Sequence, residues 1–279
     1  MLYDQYFIDD LKDRADLVRI IEPYAPLKKK GASWVGCCPF HQEKTPSFTV
    51  NAERQSFMCF GCKASGNAID FVMKTQNLTL DQEFGQVTPE NEMKWNVVER
   101  VRGKFDFAAA DRLLDYAESR GMAVRGSVLA WHSQLPGWVV NISSGAELMT
   151  ALREHVAGVA GHFRGRVDYW DVVNEAFGDG GARRNSVFQE RIGDSWVEEA
   201  FRAAEAADPT AKLCYNDYYT DGFGPKSDAV YGLVRDFIAR GVPIDCVGFQ
   251  SHLGTGIDST YQANLQRFAD LGVDVQITE

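Results

Sequence analysis

From residue 84 onward, short apolar runs alternate with longer stretches whose apolar residues recur every three or four positions. The runs Val124–Trp131, Val167–Val173, Ala211–Tyr215, Ile244–Phe249 and Val273–Ile277 are brief and largely apolar, so they predict strands. The stretches Ala108–Arg120, Ala146–Phe163, Trp196–Ala207, Ser227–Arg240 and Tyr261–Leu271 predict helices between them. Strand–helix alternation of this kind predicts a parallel α/β layer arrangement. The first 83 residues read differently. Ser47–Val50 and Gln55–Met58 alternate apolar and polar positions around a turn at Asn51–Arg54, which predicts a small antiparallel sheet.

Composition sharpens this division. The chain has 279 residues, 45% of them hydrophobic, enough to bury a sizeable core. Its net charge of −10 is uneven, because residues 1–83 carry 10 basic and 11 acidic side chains and the remainder carries 19 and 28. A chain-wide nucleic-acid surface is excluded, though a local one is not. Four of the six cysteines, Cys37, Cys38, Cys59 and Cys62, fall in the first quarter. Two units, 1–83 and 84–279, are therefore expected. Charges interrupt the apolar residues of the first twenty positions, and no run of about 18 apolar residues occurs, so neither a signal peptide nor a membrane span is expected. The default compartment on that basis is the cytoplasm.

The first unit carries metal-ligand spacing. Cys38-Pro-Phe-His41 and Cys59-Phe-Gly-Cys62 each set two soft donors across a tight turn, and a tetrahedral zinc ion takes four such donors. Cys38, His41, Cys59 and Cys62 are the expected ligands of one structural zinc, in a zinc ribbon. Cys37 is left over, with the poorer spacing to His41. The segments CCPFHQEKTPSFTV and FMCFGCKASGNAIDFVM, with their lead-in, resemble the N-terminal zinc-binding domain of bacterial DNA primases over about residues 1–80. That resemblance implies contact with single-stranded DNA. Lys28, Lys29, Lys30, Lys44 and Lys63 are available for phosphates, and Trp34, Phe48, Phe57 and Phe60 for stacking or for the core of a small domain. The primase polymerising domain is absent from this chain, so priming itself is not implied.

In the second unit, polar residues cluster just after the predicted strands: Glu90-Asn91, His132, Asn174-Glu175, Asn216-Asp217, Gln250 to His252, and Glu279. In a β/α barrel that end is the active-site rim. Two carboxylates there, Glu175 and Glu279, can flank a glycosidic bond, one as proton donor and the other as nucleophile or base. The segments VTPENEMKW, WHSQLPGW, DYWDVVNEAF, LCYNDY, CVGFQSH and VQITE resemble, in order, the family-10 glycoside hydrolases, the endo-1,4-β-xylanases.

The resemblance implies Glu175 as acid/base and Glu279 as nucleophile, with retention of configuration and a carboxyl separation of about 5–5.5 Å. It implies that Asn174 bonds the sugar 2-hydroxyl and that Glu90, Asn91 and Lys94 hold the neighbouring sugar. Trp131 and Gln134 would line the cleft; Tyr218, Gln250 and His252 would orient the reacting sugar and the nucleophile. The substrate would be xylan or xylo-oligosaccharide.

Three departures stand out. Ser127 occupies the position where these enzymes carry a histidine. Only the family's second to seventh strands are supplied, so the expected fold is an incomplete (β/α)8 TIM-type barrel, about six of eight strands, behind a zinc ribbon. Glu279 is the last residue, where fraying is expected. Weak or absent hydrolysis is the resulting expectation. Cys214 and Cys246 can be bridged in such a family, but without a secretion signal reduced thiols are expected. The join at Leu78–Glu83 has no Gly/Ser or Pro-rich linker, and the chain reads as a chimera.

Overall fold

The computed structural model describes residues 16–76, 85–253 and 258–279. The leading segment and the Leu78–Glu83 join lie outside the described residues. Two compact units divide the chain, residues 1–85 and 86–279.

In the first unit a short helix α1 (Leu17–Ile21) precedes β1 (Lys28–Lys30), β2 (Ser33–Gly36), β3 (Phe48–Asn51), β4 (Ser56–Cys59) and β5 (Ser65–Gly66), then helix α2 (Ala68–Gln76). The strands form one antiparallel sheet in chain order. Alternation puts Phe48 and Val50 of β3 and Phe57 of β4 on one face, where they meet Leu17, Ile21 and Phe71. Phe48 and Phe57 are thus core residues, not stacking faces for a ligand; of the aromatic candidates, Phe60 is exposed and Trp34 is half-buried. Lys28, Lys29 and Lys30 are all exposed on the edge strand β1. Lysines there also discourage strand addition by other chains.

The second unit is a six-stranded parallel sheet, β6 (Gln86–Val87), β7 (Ala123–Trp131), β8 (Tyr169–Asn174), β9 (Lys212–Asp217), β10 (Cys246–Phe249) and β11 (Asp274–Ile277), in sequential order. Among the connecting segments run α3 (Trp95–Val98), α4 (Ala108–Ser119), α5 (Gly137–Val140), α6 (Gly145–His162), α7 (Val187–Arg191), α8 (Ser195–Ala207), α9 (Pro225–Ala239) and α10 (Tyr261–Ala269). Every residue of β8 from Trp170 to Asn174 is buried, because the strand is covered on both faces; its two polar members are paired, Asp171 with Arg125 and Asn174 with Asn216.

Local chemistry sets the helix ends. Ser144 accepts the Glu147 N–H at the start of α6, and Pro225 occupies the first turn of α9, where its missing N–H has no partner to lose. Gly121 and Gly241, at φ +67° and +63°, turn the chain just past α4 and α9 in the left-handed conformation that glycine adopts without a Cβ clash.

Parallel pairing also corrects one expectation. Cys214 and Cys246 are register partners on β9 and β10, both fully buried, with Cα atoms 4.5 Å apart, and they form a disulfide. That spacing lies within bonding reach of two thiols. The expectation of reduced thiols rested on the composition of the first twenty residues, which says nothing about which strands pair. Among the described residues, no helix is long and apolar enough to cross a membrane.

Candidate active site at the strand ends

The predicted polar residues converge at the carboxyl ends of β7 to β11. Pairing slips between Ser127 and Ala130 and between Asp171 and Val173, so both β7 and β8 are irregular just below this end. Among the described residues of this unit, the non-glycine residues with positive φ are Gln134, Glu175, Tyr219 and Ser251, and each lies just past a strand of the sheet. Such conformations cost about 1–3 kcal/mol and persist where surrounding bonds over-determine them. For Glu175, at φ 57°, the holding bonds are its own N–H to the Asn216 carbonyl (2.9 Å) and Arg184 Nε to its carbonyl (2.9 Å).

The Glu175 carboxylate accepts from Asn174 Nδ2 at 3.2 Å and from Gln250 Nε2 at 3.1 Å. Gln250, 3% exposed, also donates to Asn174 Oδ1 at 3.1 Å, and its carbonyl lies 3.0 Å from His252 Nε2. That imidazole nitrogen is 3.2 Å from Glu279 Oε2. One polar chain, Glu175–Gln250–His252–Glu279, therefore joins the two carboxylates across three strands. Glu279 Oε2 thus lies beside His252, and the preceding Thr278 donates its N–H to the Phe249 carbonyl and its hydroxyl to Asn216 Oδ1.

The electrostatics agree with this convergence. Burial pushes the Glu279 carboxyl above the ordinary range; His252 and Lys94 oppose the shift, while Asp171 and Glu175 add to it. Burial likewise lowers Lys94, against the pull of Asp171, Glu279, Glu175 and Glu90. The Lys94 ammonium donates to the Ser127 carbonyl (3.2 Å) and hydroxyl (3.0 Å) and lies 5.6 Å from the Trp131 ring centre. Ser127 is thus a partner of Lys94. Glu90 and Asn91 are exposed on the loop after β6, and the Gln134 carbonyl accepts from Asn96. Tyr218 donates to Asp179 at 2.8 Å and accepts from Arg184 at 2.7 Å.

Some participants carried little or no signal along the chain. Among the described residues His132 Nδ1 is buried without a hydrogen-bond partner, 3.9 Å from Glu175 Oε2, and burial with Arg184 nearby lowers its pKa. Its place directly after β7 was its only marker. Arg184 lies in a loop nine residues past Glu175, where nothing local announces it. Beneath the site, Arg125 of β7 and Asp171 of β8 form a fully buried ion pair, and Arg125 also donates to Gln276 of β11. Asp217, bonded to Tyr215 and Lys226, is pushed up to about 6 by burial despite that lysine.

In the first unit, one ligand atom from each of Cys38, His41, Cys59 and Cys62 lies within 4.8 Å of the others. Cys38 Sγ is 3.8 Å from Cys62 Sγ, and Cys59 Sγ is 3.9 Å from His41 Nδ1. A tetrahedron with arms of about 2.3 Å has edges of roughly 3.8 Å, so the donor set fits zinc. Cys37 is exposed and stands outside this cluster.

Known proteins share the second unit's pattern. A family model described as glycosyl hydrolase family 10 matches residues 50–279. Endo-1,4-beta-xylanase B of Thermotoga neapolitana is 43% identical over 201 residues, 71% of this chain and 58% of that protein. The crystal structure of native xylanase 10B from Thermotoga maritima matches with a TM-score of 0.70 at 42% identity, covering 71% of this chain and 62% of that one. Xylanase 10B from Thermotoga petrophila RKU-1, solved with xylobiose, matches with the same TM-score, identity and coverage. The chain spans less than two thirds of the length of each of these relatives. These proteins share the second unit's sequence and its parallel-sheet fold, and the chain belongs to glycosyl hydrolase family 10.

Proposed function

We propose that the second unit cleaves internal β-1,4-xylosidic bonds of xylan with retention of configuration, weakly, because the described residues of its sheet supply only six of the eight strands of a closed barrel. Glu175 protonates the leaving oxygen and later activates water, while Glu279 attacks the sugar carbon. Asn174 bonds the 2-hydroxyl. Glu90, Asn91 and Lys94 hold the adjoining sugar beside Trp131 and Gln134. Tyr218, Gln250 and His252 orient the reacting ring and the nucleophile. The observation that carries the reading is the polar chain from Glu175 through Gln250 and His252 to Glu279, which sets two carboxylates, one just past β8 and one just past β11, in each other's field. The test is reducing-sugar release from xylan by the full chain, with the product anomer followed by NMR. Glu175→Gln and Glu279→Gln should each reduce release to background. Release that survives both substitutions, or an inverted anomer, overturns the assignment.

A second reading concerns the first unit, and the fit of its donor set to a tetrahedron supports it. Cys38, His41, Cys59 and Cys62 would hold one zinc ion, whose role is to cross-link the two knuckles. The exposed Lys28–Lys30 edge and Phe60 would then offer single-stranded DNA a cationic, partly aromatic surface. One zinc per chain and salt-dependent binding of single-stranded DNA are the expected outcomes. Absence of both removes this reading and leaves the hydrolase assignment untouched.

A further inference from the structure

Next to the four cysteine and histidine donors sits a carboxylate that the ligand spacing does not call for. Glu43 is on the loop between the first knuckle and β3, and its side chain is 12% exposed. One oxygen, Oε2, lies 3.2 Å from His41 Nε2 and accepts the Ser47 hydroxyl at 2.6 Å. The other, Oε1, accepts the Cys38 N–H at 2.7 Å and the Ser47 N–H at 3.2 Å. The Ser47 hydroxyl is in turn 3.2 Å from Cys59 Sγ. Glu43 thereby touches two of the four ligand residues away from their ligand atoms, at the Cys38 N–H and the His41 Nε2, and approaches the third, Cys59, through Ser47. Gly61 leaves the space for this arrangement, since a Cβ there would lie 2.8 Å from His41 Nε2 and 3.0 Å from Ser47 Oγ.

The orientation of the imidazole is the informative point. Its Nδ1 faces Cys59 Sγ, on the side of the donor cluster, and its Nε2 faces Glu43. A neutral imidazole that gives one nitrogen to a cation must carry its proton on the other, and a carboxylate on that side holds both tautomer and ring angle. We propose that Glu43 is the positioning residue of the metal centre: it holds His41 as the Nε2–H tautomer, with Nδ1 free to ligate, and clamps the Cys38 and Ser47 loop segments around it. This inference rests on the zinc reading of the first unit and deepens it.

The experiment is competition of zinc-loaded full-length chain against a chromophoric chelator, comparing the unsubstituted protein, Glu43→Gln, His41→Cys and the double variant. A glutamine retains an oxygen for the Cys38 and Ser47 N–H groups but turns an NH2 toward His41 Nε2–H. Glu43→Gln should weaken zinc about 10–100-fold when His41 is present. In the His41→Cys background, where no ring needs orienting, it should change affinity by less than about 3-fold, the coupling that a double-mutant cycle isolates. Equal weakening in both backgrounds, or no weakening in either, overturns the role of Glu43. Failure of the unsubstituted chain to take up one zinc, or uptake unaffected by Cys59→Ser, overturns the metal centre itself. NMR of His41 in zinc-loaded protein provides an independent readout: Nδ1 coordination with a protonated Nε2 is expected, and Nε2 coordination contradicts the proposal.

Discussion

Replacing Gln250 by methionine removes the connector of the site while nearly preserving its volume. Three bonds go: those from Nε2 to Glu175 and to Asn174, and the contact of Oε1 with His252. No partner is stranded, however. Glu175 Oε1 keeps Asn174 Nδ2, Asn174 Oδ1 keeps Asn216 Nδ2, and His252 keeps Glu279. The full penalty of orphaned buried groups does not apply, and each bond contributes its net value of about 0.5–1.5 kcal/mol. The sum, roughly 3 kcal/mol, is partly offset because a thioether is easier to bury than an amide, which leaves about 2 kcal/mol. For a unit of this size each kcal/mol moves the midpoint by about 2–4 °C, so Tm should fall by about 4–8 °C. Five of the six tryptophans lie beyond residue 85, so tryptophan fluorescence follows mainly this unit. Because Asn174 shares the network, Gln250→Met combined with Asn174→Ala should be less destabilising than the sum of the two single changes. A Tm within 1 °C of the unsubstituted protein, or strict additivity in the double variant, would refute the claim that Gln250 ties these residues together.

Other consequences can be measured separately. As nucleophile Glu279 must be ionised, and burial raises its pKa above the ordinary 4.5, so the acidic limb of kcat/KM should lie above pH 4.5; His252→Ala removes an opposing influence and should move that limb further up, whereas a downward move contradicts the pairing. The same shift favours the folded state below the unfolded value and is lost as pH rises through the folded one, a trend that a Glu279→Gln variant should lack in urea titrations. Removing the Cys214–Cys246 bridge, which spans 32 residues, with Cys214→Ala and Cys246→Ala should lower stability by about 3–4 kcal/mol; identical melting with and without reductant in the unsubstituted chain would show that the thiols are not bridged. Asp171→Ala leaves the Arg125 cation buried without its carboxylate and should cost about 3–5 kcal/mol in urea unfolding, while the paired change Arg125→Met with Asp171→Leu should recover most of it.

Local chemistry made much of this protein legible along the chain. Apolar runs at Val124–Trp131 and Val167–Val173 marked strands because a doubly covered parallel strand must be apolar for most of its length. The two-residue gaps of Cys38–His41 and Cys59–Cys62 marked a donor set because one turn brings each pair together. Asn174-Glu175 and Gln250 to His252 were readable as rim residues because they directly follow strands. Other features depended on atoms distant in the chain. Arg184 reaches the Glu175 carbonyl only by loop folding, and the Cys214–Cys246 bridge depends on which register β9 and β10 adopt. Glu43 gains its place beside His41 only when Ser47 and the Cys38 loop close around it. The hydrogen bond between Gln250 and Glu175 spans 75 positions. Periodicity and spacing act over a few residues and could determine elements and local pairs; the polar chain between two carboxylates is a property of strand order, and only the folded sheet decided it.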